Sequence, residues 1–410
     1  MIDLDTGFVR SQFPAFSEPS LQDFAHFENA GGSYACGQVI DSLHRYYLQT
    51  KVQPYYGFGP SHSAGVQMNQ ARERMASWLN VDTDEVHFGP STSQNTYVVA
   101  QALRQHLKEG DEVIVTNLDH EANIGAWRRL GSEGIVIREW QVDPKSGELD
   151  PAELDNLLNE KTRMVAFTHC SNIVGSVHPV REWTDKIHAA GAMAVVDGVS
   201  YAPHGLPDVD ALGADIYLFS LYKVYGPHLG VMVMRKAINQ QLPNQAHFFN
   251  AVYPTARFTP AGPDHAQVAT VNGLIDYFEA VYAHHFGAEE ADSAKKTSRV
   301  RALFQHSERR NLQPLLDFLA EQKSVRLIGK AVTKDRAPTV SFTVQGREPA
   351  EIAALLAARK IGIANGNCYA SRLMPALGIP PQQGVVRLSF VHYTQKEEVS
   401  RLVEALDDIL

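Results

Sequence analysis

The sequence predicts an α/β protein built on a mostly parallel sheet that helices cover on both faces. Short apolar runs alternate with helix-length segments from residue 85 to residue 235. The runs at 192–197 and 216–219 are almost entirely apolar, as in strands that are buried on both faces. Polar side chains follow these runs at the point where each strand should end. Because ligands of parallel sheets bind at the carboxyl ends of the strands, we expect the functional site there.

Length and composition limit the classes of protein and of partner. A chain of 410 residues is expected to form two domains and to bury a large core. Apolar residues make up 44% and charged residues 20% of the chain, which is ordinary for a soluble globular protein. The net charge of −9 and the lack of a basic run argue against nucleic acid and anionic membranes as partners. No apolar run approaches the roughly 18 residues that span a bilayer.

The N-terminus and the cysteines favour a cytoplasmic location with reduced thiols. The first six residues are acidic and lack the charged-then-apolar pattern of a signal peptide. Cys36, Cys170 and Cys368 are an odd number of cysteines without a CxxC spacing. We therefore expect neither structural disulfides nor a metal site.

The predicted strands fall into two groups along the chain. The first group, which forms the mostly parallel sheet, comprises 85–88, 112–116, 135–140, 164–168, 192–197, 216–219 and 230–235. The second group belongs to a smaller C-terminal unit and comprises 325–328, 340–344 and 385–391.

Helices are predicted between and after these strands. Residues 1–25 are expected to form an irregular arm, and 57–65 a loop rich in Gly, Pro and Ser. The predicted helices are 67–79, 91–107, 150–158, a long helical region at 265–322, and a final helix with Thr394 as its N-cap and Glu397 three residues later.

Lys223 is the central candidate for function. It lies just past the predicted strand 216–219 and before the turn Gly226-Pro227. The preceding predicted strand ends in Asp197. A lysine and a carboxylate at neighbouring strand ends suit pyridoxal phosphate (PLP), since the lysine forms a Schiff base and the carboxylate pairs with the protonated ring nitrogen. The alternative for Lys223 is a solvated loop lysine.

Other polar residues at predicted strand ends fit the same cofactor. Ser91, Thr92 and Ser93 open a helix, where free N–H groups and the positive dipole end can bind a phosphate. Simple N-capping is the alternative for these residues. His120 follows the strand 112–116, where an imidazole can stack on a pyridine ring and relay protons. Its alternative is a surface histidine that caps the next helix.

From Asn29 to the C-terminus the chain resembles fold-type I PLP enzymes, specifically the class V aminotransferase and cysteine desulfurase group. Asp197-Gly-Val-Ser-Tyr-Ala-Pro-His204 and Ser220-Leu-Tyr-Lys223-Val-Tyr-Gly-Pro227 are similar to the aspartate and lysine motifs of that group. The resemblance implies an N-terminal arm at 1–25 that packs with the small domain, a large PLP-binding domain at 26–285 with a mostly parallel seven-stranded sheet, and a small α+β domain at 286–410.

The resemblance also implies roles for individual residues. Lys223, His120 and Asp197 would be catalytic. The residues implied to hold the cofactor are Thr92, Ser93, His120, Asn172, Asp197, Ser200, Ser220, Tyr222 and Lys223. Those implied to contact the substrate are Arg387, which would grip its α-carboxylate, Asn29, His62 and Asn172. The segment 258–265 resembles one that reaches the neighbouring subunit's phosphate site, which implies a homodimer with shared active sites.

The segment around Cys368 departs from the desulfurase pattern. Desulfurases need a mobile thiolate that carries a persulfide. When Gly366 and Leu373-Met374 are aligned with that pattern, Tyr369 rather than Cys368 stands where the catalytic cysteine belongs. Tyr222 and Ser200 likewise replace a histidine and a glutamine of the desulfurases. The residues for the cofactor are kept, while those for sulfur transfer are altered.

We therefore expect a PLP-dependent enzyme that acts on an amino acid through a Lys223 Schiff base and a Cα-carbanion (quinonoid) intermediate. The chemistry expected is that of a C–S lyase, an epimerase or an aminotransferase. One alternative is a genuine cysteine desulfurase or selenocysteine lyase that uses Cys368 as persulfide carrier. Another is a non-catalytic PLP-binding protein, against which the retention of Lys223, Asp197, His120 and Arg387 argues.

Overall fold

A seven-stranded sheet organises the larger part of the computed structural model, which describes residues 2–287 and 290–410. Its strand order is β2-β8-β7-β6-β5-β3-β4. Strand β8 runs antiparallel to both of its neighbours, and the pairings among the other strands are parallel. The strands are β2 (Val86–Gly89), β3 (Glu112–Thr116), β4 (Val136–Trp140), β5 (Thr162–Thr168), β6 (Met193–Asp197), β7 (Ile216–Ser220) and β8 (Gly230–Met234). The α/β fold class and all seven predicted strands are confirmed, with ends that differ by one or two residues.

The sheet is buried between two apolar clusters, which explains its continuous apolar runs. In β7, Tyr217 and Phe219 belong to one cluster, while Ile216 and Leu218 belong to the other. Alternate side chains of a strand point to opposite faces, so a strand covered on both faces must be apolar at every position. Every residue of β7 is buried.

Helices cover the sheet and continue into the C-terminal part. They are α1 (Thr6–Ser11), α2 (Gly37–Gln49), α3 (Gly59–Leu79), α4 (Thr92–His106), α5 (Gly125–Arg128), α6 (Pro151–Leu157), α7 (Val180–Ala189), α8 (Val209–Leu212), α9 (Lys236–Gln241), α10 (His265–Ala269), α11 (Val271–Phe286), α12 (Ser293–Glu321), α13 (Pro349–Ala357), α14 (Leu373–Ala376) and α15 (Lys396–Asp407). Over the described residues, none of them combines the length and the hydropathy needed to cross a membrane.

Two predicted helix starts were wrong. The predicted loop at 57–65 is largely helical, because α3 begins at Gly59 with Pro60 in its first turn. Proline is favoured at the first helical positions, where its missing N–H is no loss, so this proline marks a helix start. Helix α15 is capped by Gln395, not Thr394, and Glu398 completes the capping box.

The N-terminal arm is more regular than predicted. Asp5 caps helix α1 by accepting a hydrogen bond from the N–H of Phe8. Arg10 forms an ion pair with Glu398 of α15 at 2.8 Å. Phe13 packs edge-on against Tyr277 of α11, with ring centroids 5.1 Å apart. The arm thus contacts elements from both predicted domains, whose boundaries stay a prediction.

A four-stranded antiparallel sheet forms the centre of the C-terminal part. Its order is β12-β13-β10-β9, with strands β9 (Val325–Ile328), β10 (Thr339–Val344), β12 (Ala364–Gly366) and β13 (Val385–Ser389). Strand β12 was not predicted. Neither was the parallel pair of β1 (Ala25–His26) with β11 (Ile361–Gly362). Just after β1, a parallel bridge between Glu28 and Ser389 brings residues 27–29 alongside the end of β13.

Candidate active site

A cavity of about 220 Å³ opens at the carboxyl ends of the central strands. All nine residues predicted to hold the cofactor line it: Thr92, Ser93, His120, Asn172, Asp197, Ser200, Ser220, Tyr222 and Lys223. They come from five separate strand ends and the turns that follow them. Parallel strands bring their carboxyl ends to one edge of the sheet, so residues distant in sequence meet there.

Lys223 is buried at the wall of this cavity. It ends the single 3₁₀ turn that follows β7, and the Ser33 hydroxyl donates a hydrogen bond to its carbonyl oxygen at 2.9 Å. Burial, followed by the positive charge of Arg387, lowers the pKa of the Lys223 amine to about 8. The alternative of a solvated loop lysine is excluded, since only 6% of the residue is exposed.

Asp197 is the last residue of β6 and is also buried. One of its carboxylate oxygens accepts a hydrogen bond from the N–H of Val199 at 2.8 Å. Burial raises the pKa of this carboxyl to about 6, although the Val199 N–H and the Lys223 charge act in the opposite direction. At neutral pH the cavity therefore holds a carboxylate and, a strand away, an amine that loses its proton readily.

The N-terminus of α4 forms one end of the cavity. Ser91 is the N-cap of this helix, with its hydroxyl accepting from the N–H of Gln94 at 3.1 Å, while Thr92 and Ser93 lie at the cavity wall. Ser91 lines the cavity as well, so the residue that caps the helix also belongs to the cavity wall. Gly230 of β8 makes this approach possible, because a Cβ there would lie 2.4 Å from the carbonyl carbon of Ser91 and 2.7 Å from the nitrogen of Thr92.

His120 caps a turn and also lines the cavity. Its Nδ1 accepts a hydrogen bond from the N–H of Ala122 at 3.1 Å and so caps a short 3₁₀ turn. Its ring also lines the cavity. Burial, then the charges of Lys223 and Arg387, lowers its pKa to about 4, so the imidazole is neutral at pH 7. With Nδ1 as acceptor, the proton of the neutral ring lies on Nε2.

Asn172 connects the cavity to the C-terminal part. Its Nδ2 donates to the carbonyl oxygen of Cys368 at 2.9 Å. Its Oδ1 is buried and has no hydrogen-bond partner among the residues described. A buried acceptor without a partner is costly, so this oxygen suits a ligand that brings a donor.

Three predicted substrate contacts lie outside the lining of the cavity. Arg387 is buried on β13 and pairs with Glu28, Nη2 to Oε1, at 2.5 Å. The amide of Asn29 is engaged within the protein, by Ser389 at 3.2 Å and by the hydroxyl of Tyr393. His62 is exposed in the first turn of α3.

The segment that carries Cys368 lies over the His120 turn. Cys368 and Tyr369 have positive φ angles of 45° and 62°, in a backbone region that residues other than glycine rarely adopt. The carbonyl oxygen of Tyr369 accepts from the N–H of Glu121 at 2.8 Å, and Arg372 pairs with the carboxylate of Glu121 at 3.2 Å. Burial raises the pKa of the Cys368 thiol, so burial favours the thiol over the thiolate.

Several cavity residues were not proposed as ligand contacts from the sequence. Thr168 ends a strand and Val199 lies in the turn after one. Because Thr168 is a polar residue at a predicted strand end, the sequence could have indicated it. His228 stacks on Tyr222 with ring centroids 4.9 Å apart, a contact that no local pattern indicates. Cys170 is buried and lies in the cavity wall, which the cysteine spacing does not indicate.

The chemistry of the cavity fits PLP. The Lys223 amine suits its aldehyde, the Asp197 carboxylate suits its ring nitrogen, and the first N–H groups of α4 suit its phosphate. The free Asn172 Oδ1 suits a donor such as a protonated ring oxygen or a substrate amine. The donor set thus contains a partner for each polar group of the cofactor.

Comparisons with known proteins agree with this arrangement. A sequence profile described as Aminotransferase class-V matches residues 25–402. The chain is 35% identical over 414 residues to the aminotransferase-like protein FGM3 of Gibberella zeae, covering 98% of both chains. It is 29% identical over 419 residues to a cysteine desulfurase of Serratia proteamaculans, covering 98% of this chain and 97% of that protein.

Solved structures show the same fold. The apo structure of a cysteine desulfurase from Thermococcus onnurineus NA1 superposes with a TM-score of 0.87 at 24% identity, covering 100% of this chain and 98% of that chain. The fold-type I prediction is thereby confirmed. Together with the sequence match and the donor set of the cavity, this similarity identifies the protein: it belongs to the class-V aminotransferase family and is a PLP-dependent enzyme.

Proposed function

We propose that this enzyme labilises the Cα–H bond of an amino acid, in a C–S lyase, epimerase or aminotransferase reaction. Lys223 is the base, His120 assists, and Arg387 holds the α-carboxylate of the substrate. The observation that carries the proposal is the cavity itself, in which a buried amine with a pKa of about 8 lies close to a buried carboxylate and a neutral imidazole. Such perturbed groups in one cleft are typical of active sites.

The roles of the cofactor-holding residues follow from their chemistry. When bound, PLP joins Lys223 through a Schiff base and acts as an electron sink for the pair released at Cα. The negative charge of the Asp197 carboxylate would stabilise the protonated form of the ring nitrogen. Thr92 and Ser93 offer hydroxyl groups beside the free N–H groups of α4, and the Thr92 hydroxyl is itself held by that of Ser220 at 2.7 Å.

Proton movement rests on Lys223 and His120. A Lys223 amine with a pKa of about 8 is partly unprotonated at neutral pH, so its Nζ can accept a proton without a large penalty. His120 carries its proton on Nε2, because Nδ1 accepts from Ala122. It can therefore donate a hydrogen bond to a substrate or cofactor oxygen, whereas a protonated imidazole would repel the Lys223 and Arg387 charges.

The surroundings of Cys368 favour C–S lyase, epimerase or aminotransferase chemistry over persulfide transfer. Its carbonyl oxygen is bonded to Asn172, and its neighbours Tyr369 and Arg372 are bonded to Glu121. A thiol on a loop fixed in this way, with its pKa raised by burial, lacks the mobility and the charge of a persulfide carrier.

One observation favours the alternative, a cysteine desulfurase or selenocysteine lyase. The positive charges of Arg387 and Lys223 act to lower the pKa of the Cys368 thiol. The opposite effect of burial is larger, so the net shift of this pKa is upward. The thiol is therefore close to the site of reaction. Persulfide on Cys368 after incubation with L-cysteine, detected by mass spectrometry, would establish this alternative. The non-catalytic PLP-binding protein considered from the sequence does not agree with the enzyme family identified above, and steady turnover of any amino acid would exclude it.

A cytoplasmic homodimer with shared active sites is part of the proposal. Large apolar side chains are exposed in two loops, among them Tyr56 (60%), Phe58 (52%), Phe248 (87%) and Tyr253 (60%). Exposed apolar surface of this kind marks interaction sites. Tyr55 and Tyr253 line one surface cleft together with Gly262 and Pro263, in the segment predicted to reach the partner's phosphate site. Sedimentation at several protein concentrations would test the dimer.

The visible absorbance spectrum tests the reaction class. L-cysteine and then the other amino acids are added to the holoenzyme, and both the cofactor band and sulfide release are followed. The proposal expects a spectral response to an amino acid with no persulfide on Cys368. Release of sulfide together with a Cys368 persulfide would replace it by the desulfurase alternative, and the absence of a response to every amino acid would contradict both.

A further inference from the structure

The guanidinium of Arg387 already has a carboxylate partner inside the protein. Its Nη2 pairs with Glu28 Oε1 at 2.5 Å, and its Nη1 donates to the carbonyl oxygen of Asn172 at 3.2 Å. Its Nε is buried and has no hydrogen-bond partner among the described residues. Nε and Nη2 form one edge of the guanidinium, the edge on which a carboxylate binds with two parallel hydrogen bonds. Glu28 thus occupies half of the edge that a substrate carboxylate needs.

The backbone fixes Glu28 in this position. Residue 28 forms a bridge with Ser389, two residues beyond Arg387 on β13. The N–H of Ser389 donates to the carbonyl oxygen of Phe27 at 2.8 Å, and the N–H of Ala30 donates to the Ser389 hydroxyl at 2.8 Å. These bonds hold the main chain on both sides of Glu28 against the strand that carries the arginine.

Gly31 makes room for the Glu28 carboxylate. A Cβ at residue 31 would lie 2.0 Å from Oε2 and 2.4 Å from Oε1 of Glu28. The neighbouring Gly32 has no such constraint, since a Cβ there would make an ordinary contact of 3.7 Å with Tyr222. Neither glycine has a positive φ angle, so backbone conformation does not require them. The glycine at 31 is explained by the carboxylate that rests on it.

We infer that Glu28 competes with the substrate carboxylate for Arg387: it occupies the anion site of Arg387 in the substrate-free enzyme and must release Nη2 when the α-carboxylate of a substrate binds. The inference rests on the proposed role of Arg387. The side chain of Glu28 is 29% exposed and that of Arg387 only 5%, so the glutamate has a path to solvent and the arginine stays in place. The enzyme thereby avoids a buried, unpaired guanidinium between turnovers, and only ligands that outcompete Glu28 are bound.

Two chemically different substitutions should free the arginine. Glu28→Gln removes the charge and keeps the shape of the side chain. Gly31→Ala keeps the glutamate and displaces its carboxylate by contact. Gly32→Ala is the matched control, because it adds the same methyl group one residue away without touching Glu28. Arg387→Gln removes the anion site itself.

The binding constant for L-alanine is measured on each holoenzyme from the change in the visible spectrum, and thermal unfolding verifies that each variant is folded. Because a charge-assisted hydrogen bond contributes about 1.5–3 kcal/mol, losing the competitor should tighten binding about ten- to a hundredfold in both Glu28→Gln and Gly31→Ala. Gly32→Ala should bind as the unmodified enzyme does.

The outcomes separate this inference from the proposed function. One outcome is that Arg387→Gln binds L-alanine more weakly, while Glu28→Gln and Gly31→Ala bind it no more tightly than the unmodified enzyme. This outcome would refute the competition and leave the role of Arg387 intact. Unchanged binding in Arg387→Gln would refute the proposed role of Arg387 and the inference with it. A lack of response to L-alanine in all folded variants, including those that free Arg387, would also overturn the inference.

Discussion

The approach of Gly230 to the N-terminus of α4 gives a sharp test of the phosphate-binding assignment. In Gly230→Ala, the new Cβ would lie 2.4 Å from the carbonyl carbon of Ser91 and 2.7 Å from the nitrogen of Thr92. Both are backbone atoms, which no side-chain rotation can move. To restore an ordinary carbon–carbon contact of about 3.4–4 Å, the helix start or the strand must shift by about 1 Å. The substitution therefore moves the N–H groups that are assigned to the phosphate.

The size of the effect follows from hydrogen-bond geometry. An N–H···O bond of about 2.9 Å that lengthens by about 1 Å is lost. One charge-assisted hydrogen bond contributes about 1.5–3 kcal/mol, so the loss of one bond weakens PLP binding about ten- to a hundredfold. The assay is equilibrium titration of the apoenzyme with PLP, followed by the visible band of the bound cofactor.

A neighbouring substitution separates this local effect from general destabilisation. Val231→Ala removes packing from the same buried strand and leaves the contact with Ser91 unchanged, so it should lower stability and retain PLP affinity. Thermal unfolding of both apoproteins gives the comparison. If folded Gly230→Ala bound PLP as tightly as the unmodified protein, the phosphate could not lie at this helix start.

Other substitutions test the remaining groups. Lys223→Ala should abolish the reaction with every amino acid, and retained activity on an identified substrate would contradict its role as base. The rate of PLP recombination with the apoenzyme should rise as the pH approaches 8, because the Lys223 pKa of about 8 makes the neutral amine scarce at lower pH; a flat stopped-flow profile would contradict this. Asp197→Asn should lower kcat at least about a hundredfold. In the unmodified enzyme the affinity for PLP should fall below pH 6, because the Asp197 carboxyl, with a pKa of about 6, takes up a proton there. In Asp197→Asn this pH dependence of the affinity should be absent. Cys368→Ser should retain most of kcat on the identified substrate, and a complete loss would favour persulfide chemistry.

The sheet and the cavity could be predicted from the sequence because both follow from local rules. Strands β6 and β7 are apolar on consecutive residues. Asp197 ends β6, and Lys223 ends the short turn that follows β7. The topology of a parallel sheet then brings strand ends together without further information. The helix predicted at 91–107 was found within one residue for the same reason, since Ser91 is a regular N-cap residue.

Long-range pairing could not be predicted from the sequence. Strands β1 and β11 contain two residues each, too few for a periodic pattern, and only their contact across more than 300 residues of chain defines them. The Glu28–Arg387 pair depends on this same contact. The need for glycine at residue 31 also depends on the Glu28 carboxylate, whose position is set by the same contact. The cap at Gln395 was missed because glutamine is rarely an N-cap.

The central claim is that a covalent cofactor on Lys223 carries the chemistry, and borohydride reduction of the holoenzyme tests it most directly. Reduction fixes a Schiff base as a stable bond, so a digest analysed by mass spectrometry shows which lysine bears the pyridoxyl group. The structure predicts that the group is found on the peptide containing Lys223, and that the Lys223→Ala protein gives no such peptide. A pyridoxyl group on another lysine, or none on the PLP-loaded enzyme, would contradict the account.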